Sequence, residues 1–256
     1  MRSLLTMFCT TLILLVGSTE GWSGDFQKGA GAYLKGDYAT ALREWNPLAN
    51  QGDAQAQFQL GWMYSKGEGV SEDDQEAVKW YRLAAEQRHA HAQYNLGLMY
   101  DSGWGVAKND KEAVKWFRRA AEMGFAEAQH NLGVMYQKGR GVPKNDREAV
   151  KWYRRAAEQG AAAAQSNLGW MYANGKGVPE DDTEAVKWYA LAATQGLAKA
   201  QHNLGLMYGN GQGVKQDLVY AHMWWDIAAS AGHEGAAANR DLSITMMTPS
   251  QLEKAQ

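Results

Sequence analysis

The string A-x-A-Q-x-x-L-G-x-M-Y-x-x-G-x-G-V begins at Ala54, Ala90, Ala126, Ala162 and Ala198, each start 36 residues after the last. Five units therefore fill residues 54–233 without a gap. A strict period of this length marks a stack, in which each unit buries its apolar face only against its neighbours. It also explains an odd composition of 28 Gly, 11 Trp and 12 Tyr against 4 Pro. A few positions are used again and again: Gly61, Gly97, Gly133, Gly169 and Gly205, or Trp80, Trp116, Trp152, Trp188 and Trp224.

Each unit reads as two helices. In the first, Ala56, Leu60, Met63 and Tyr64 keep the spacing of one helical face. A glycine inside that helix costs roughly 1 kcal/mol relative to alanine, so its repetition predicts close backbone approach by a neighbouring helix. Gly67 and Gly69 then make the turn. The second helix starts from a capping residue, Asp73, Asn109, Asn145, Asp181 or Asp217. In four copies a Glu follows three residues later, the spacing of a capping box. Ala77, Trp80, Tyr81, Ala84 and Ala85 form its buried stripe. Gly124, Gly160, Gly196 and Gly232 close it, with Arg88 in place of Gly in the first copy.

The flanks read as atypical end units, which cover the open faces of a stack. Residues 25–53 hold an abbreviated N-terminal helix pair with a short K-G-D-Y turn. After His233 the period fails, and residues 234–256 read as a C-terminal capping segment whose last helix starts near Thr248 and Pro249. The repeat units are 54–89, 90–125, 126–161, 162–197 and 198–233.

These units, with their D-x-x-E-A-V-K-W-Y-R-x-A-A-E-Q-G second halves, resemble Sel1-like repeats, a longer-looped relative of the tetratricopeptide repeat. The leading G-D-Y-x-T-A-L and trailing N-R-D-L resemble the flanks of bacterial members. The resemblance implies an all-α fold: a right-handed α-solenoid of antiparallel helix pairs with a 36-residue period, acting as a protein-interaction scaffold. Exported bacterial members include partners or regulators of envelope signalling proteins and factors aimed at host cells.

Arg2 followed by the uncharged apolar stretch Leu4 to Val16 reads as a signal peptide over residues 1–21, cleaved after Ser18 or Gly21. The stretch is shorter than the roughly 20 apolar residues of a membrane span. The expected location is periplasmic or secreted; the alternative is an uncleaved membrane anchor. Cys9 lies inside the leader, so cleavage leaves a chain without thiols and without membrane insertion. A net charge of −2 with no basic block excludes an electrostatic grip on nucleic acid.

Comparing the copies separates framework from contact positions. Three first-helix series vary: Gln55, His91, Glu127, Ala163, Lys199; Phe58, Tyr94, His130, Ser166, His202; and Trp62, Leu98, Val134, Trp170, Leu206. Their spacing by 3 or 4 puts them on one helix face. In tetratricopeptide-like stacks the first helices line the concave groove, so the resemblance makes this face the groove. Beside it runs a ladder, Gln59 followed by Asn95, Asn131, Asn167 and Asn203. Asparagine is a poor residue inside a helix. Either these amides grip the backbone of an extended peptide, as inner-face Asn does in related domains, or they bond within and between neighbouring helices. The candidate partner-binding residues are the four asparagines with Phe58, Tyr94, His130, His202, Trp62, Trp170 and the turn residue Trp104, which stands where the other copies carry Glu, Arg, Lys or Gln.

Catalytic and metal motifs are missing from the sequence. There is no H-E-x-x-H, no Cys–His cluster and no G-x-S-x-G, and the G-x-G-V turns lack the Lys-Ser/Thr of a phosphate loop. No cofactor is expected. The sequence therefore points to a non-enzymatic adaptor in the bacterial envelope, its partner another protein such as an envelope sensor or assembly protein. The alternative is a secreted host-interaction factor. A cell-wall or small-ligand hydrolase using Glu127 and His130 lacks a positioned base and nucleophile.

Overall fold

The computed structural model describes residues 24–255; the leader, its cleavage sites and Cys9 lie outside them. The described residues form fourteen helices and no strand. The chain divides into two compact units, one ending at Ala120 and one starting at Ala121. The first holds α1 (Gly24–Leu34), α2 (Tyr38–Asn50), α3 (Ala54–Lys66), α4 (Asp74–Glu86), α5 (Ala90–Ser102) and most of α6 (Asp110–Glu122). The second holds α7 (Ala126–Lys138), α8 (Asp146–Glu158), α9 (Ala162–Ala173), α10 (Asp182–Thr194), α11 (Ala198–Asn210), α12 (Leu218–Ser230), α13 (Glu234–Met246) and α14 (Pro249–Ala255). Within each unit, consecutive helix pairs pack as a solenoid.

The repeated glycine meets an aromatic ring, not a neighbouring backbone as its position suggested. A Cβ on Gly97 would stand 2.6 Å from the Phe117 ring, and one on Gly133 2.7 Å from Tyr153. The same slot holds Tyr81 on Gly61, Tyr189 on Gly169 and Trp225 on Gly205. Each second helix thus seats a ring in the notch that its own first helix leaves open. Alanines with no exposed surface, such as Ala149, Ala156 and Ala164, complete the core around it.

The fourth residue of the A-x-A-Q motif is a staple between units. Gln57, Gln93, Gln129, Gln165 and Gln201 each donate through Nε2 to the carbonyl eight residues back, at 3.0–3.1 Å. Those carbonyls lie at the ends of the preceding second helices, which lack intrahelical partners. The amide oxygens of Gln57, Gln129 and Gln165 accept in turn from Gln87, Gln159 and Gln195 at 2.8 Å.

The helix caps are formed with one change from the expected pattern. Asp73, Asn109, Asn145, Asp181 and Asp217 accept from backbone N–H groups in the first turn. The capping-box Glu does not return to the cap N–H, because that N–H already donates to the carbonyl of Tyr64, Tyr100, Tyr136 or Tyr172. Glu76, Glu112, Glu148 and Glu184 pair instead with Lys79, Lys115, Lys151 and Lys187. Arg88 holds φ +66°, the only non-glycine with positive φ among the described residues.

The helical register outlasts the sequence motif. Helix α13 starts at Glu234, one full period after Ala198, with His233 accepting from the Ala236 N–H as its cap. Its core-facing positions have turned polar: Arg240 pairs with Asp226, and Ser243 bonds to His222.

Candidate partner-binding face

The first helices carry the varied residues, and the structure sorts them by burial. Phe58 is 2% exposed, stacked on His89 with centroids 4.7 Å apart. Trp62 is buried as well; its indole donates to the Tyr33 hydroxyl at 3.0 Å, which donates to Glu68 at 2.6 Å. Both are therefore packing residues rather than surface offered to a partner. Tyr94 is half-buried against Phe117. Trp104 is half-buried in its turn. Trp170, by contrast, is exposed.

In the second unit, two hydrogen-bonded rungs join successive first helices. The Asn167 amide nitrogen donates to His130 Nε2 at 3.0 Å, and His130 Nδ1–H donates to the Asn131 oxygen at 3.2 Å. These partners fix the neutral Nδ1–H tautomer of His130. Burial, the largest cause, holds its pKa below the usual histidine value. Two periods further on, Asn239 donates to His202 Nε2 at 3.1 Å, and His202 stacks on His233 at 4.4 Å. Burial and the neighbouring His233 lower the His202 pKa. Burial also raises the hydroxyl pKa values of Tyr153 and Tyr189, against opposing hydrogen bonds from Asn167 and Asn203.

Asn239 extends the ladder by one helix, and Leu242, 58% exposed, does the same for the series of Trp170 and Leu206. Both were missed in the sequence because the surrounding motif has lapsed; counting 36 residues on from Asn203 and Leu206 finds them. The second-unit face thus spans α7, α9, α11 and α13. In the first unit, Asn95 lines a cavity together with Trp104.

Among the described residues, no three His, Cys, Asp or Glu side chains converge as a metal site. No helix there is long and apolar enough to cross a membrane.

Paired helices repeated on a fixed register, with one varied face, define a helical-repeat protein of the tetratricopeptide type. Five segments, 54–89, 90–125, 126–160, 162–197 and 198–233, match the Sel1 repeat, and the chain belongs to the Sel1 repeat family. Proteins built from such repeats typically mediate protein–protein interaction, and the fold is that of a non-enzymatic interaction scaffold. A Sel1 repeat protein from Oxalobacter formigenes is similar at 38% identity, with 82% of this chain and 87% of that one covered and a TM-score of 0.78. The c5321 protein, a protective antigen present in uropathogenic Escherichia coli strains, is 30% identical over 91% of this chain and 66% of its own, with a TM-score of 0.42. No curated protein sequence matches the chain.

Proposed function

We propose that this chain is a non-enzymatic adaptor of the bacterial cell envelope, exported by its leader, that holds a segment of another protein on its first-helix face. The partner on this reading is an envelope sensor or assembly protein that the adaptor regulates. The observation that carries the reading is Trp170, whose side chain is 37% exposed on the first-helix face of the second unit. A large, amphipathic ring of few torsions is the residue type that most often anchors an interface. Elsewhere on the first helices of the second unit, Glu127 and Lys199 differ from their counterparts in other copies while the core positions stay fixed. A rigid framework presenting chosen contacts has that pattern.

A photo-reactive amino acid placed at position 170 in producing cells tests this, with position 151 on α8 as the control. A discrete adduct with one envelope protein from position 170 and none from position 151 is expected, on a chain that has lost its leader. Adducts from position 151 alone, or a chain retained in the cytoplasm, would overturn the reading.

A further inference from the structure

Helix α13 is held to the stack differently from the first helices before it. It buries only Ala236 and Ser243, whereas α11, one period earlier, buries Leu204 and Met207 besides its small residues. Leu242, Ile244 and Met246 are left 58%, 45% and 58% exposed. With so little apolar surface buried, the attachment of α13 depends on polar contacts.

Two of these contacts need a histidine nitrogen without a proton. The Ala236 N–H donates to His233 Nδ1 at 3.1 Å, and a backbone N–H can only donate, so that nitrogen is bare. Asn239 donates to His202 Nε2 at 3.1 Å. The two rings stack with centroids 4.4 Å and planes 20° apart, so a charge on either lies against the other. A proton on His233 also removes the cap and sits at the positive end of the α13 dipole. The contact of His222 is of another kind. Ser243 Oγ donates to the Arg240 carbonyl at 2.6 Å and so accepts from His222 Nδ1–H at 2.9 Å, a bond that survives protonation.

The surrounding charges are mostly spoken for. On α11 stand Lys199 and Tyr208, on α12 Tyr220 and Asp226, and on α13 Glu234, Arg240 and Asp241. Arg240 holds Asp226 at 3.1 Å and Asp241 at 2.8 Å. Helix α10, packed on α11, adds Asp182, Tyr189 and the paired Glu184 and Lys187. Glu234 follows His233 directly but makes no ion pair with it among the described residues. For the His202 ring, burial comes first and His233 second, both against the proton, with Asn203 opposing them.

We infer that α13 is an acid-released helix: protonation of His233 and His202 undocks it from α11 and α12 while the repeats before it stay folded. The released helix takes protons that the docked one refuses, so docking is strongest above pH 6.5, the ordinary histidine value, and weakens as pH falls. Release carries Asn239 and Leu242 off the first-helix face and opens the cluster in which Ala236 packs with Trp225 and Ala228. This response to protons is a property of the fold and stands whether or not that face binds a partner.

Backbone hydrogen exchange of the full chain, read helix by helix as protection factors at pH 7.5 and pH 5, tests this. One ring refused its proton raises the opening constant about thirtyfold at pH 5, and protection in α13 should fall on that scale, while α11 keeps the greater protection at both pH values. The double variant His202→Phe/His233→Asn places the ring of Phe58 and a non-titrating cap at these positions and should show no such fall. His233→Asn alone, which keeps the contact between Asn239 and His202, should retain at most part of it. Equal protection of α13 at both pH values, a fall undiminished in both variants, or equal losses in α11 and α13 would each overturn the inference.

Discussion

Asn95 and Asn167 occupy one position of the repeat, two periods apart, and meet different neighbours. Around both the framework is the same: a ring on the glycine two residues on, Phe117 or Tyr189, and a Gln staple at 3.0 or 3.1 Å. The difference lies in the residue 37 positions earlier. His130 stands there for Asn167 and accepts its amide; Phe58 stands there for Asn95 and has nothing to accept with. At the equivalent place before Asn203, the Ser166 hydroxyl is buried without a partner among the described residues. One varied position thus decides whether the amide is tied to the preceding first helix, and Asn95, not so tied, lines a cavity together with Trp104.

The common framework gives the largest expected effect. Gly97→Ala and Gly169→Ala should each lose about 3 kcal/mol in chemical denaturation, because a methyl cannot enter beside the seated ring without displacing it. A loss at one site only would break the premise that pocket and rung share one scaffold.

Acid should bear on both sides through histidines held neutral. His89 caps α5, the helix of Asn95, accepting from the Ala92 N–H and donating to Gln55. Burial first, then the neighbouring His91, lowers its pKa from 6.5 to about 4. Below 6.5 the unfolded chain takes a proton that the native chain refuses, so stability is full above that pH and falls as pH drops toward 4. The loss should reach about 3 kcal/mol, and His89→Asn, which keeps a capping side chain, should remove most of it. Burial shifts His130 in the same direction on the rung side. Denaturation at a series of pH values measures both.

The asparagines themselves sharpen the contrast. Asn167→Ala leaves a buried ring nitrogen of His130 unpaired and should cost about 1–2 kcal/mol; Asn95→Ala, with no histidine to orphan, should cost less. Equal losses would return Asn95 to the framework. A smaller effect sits just before the pocket helix, where Arg88 occupies the place of Gly160 before α9. Arg88→Gly relieves a left-handed residue and should gain about 1 kcal/mol.

Much of this organisation was legible in the sequence. The period located every helix pair from Ala54 to His233, and the caps followed from Asp and Asn at a fixed offset. What escaped was side-chain partnership across units. The motif displayed Gln57 and its copies without saying that each reaches a carbonyl eight residues back. Gly61 announced a close approach but not that a ring makes it. Phe58 and Trp62 shared the phase of exposed positions, yet His89 and Tyr33 cover them. Asn239 was hidden because the motif lapses around it: Leu204 and Met207 of the last full copy give way to Arg240 and Ser243.

The most direct measurement is hydrogen exchange of the side-chain amides of Asn95 and Asn167, read by NMR in the full chain. The account predicts slower exchange at Asn167, which donates to His130, than at Asn95. Equal protection of the two amides, or slower exchange at Asn95, would contradict it.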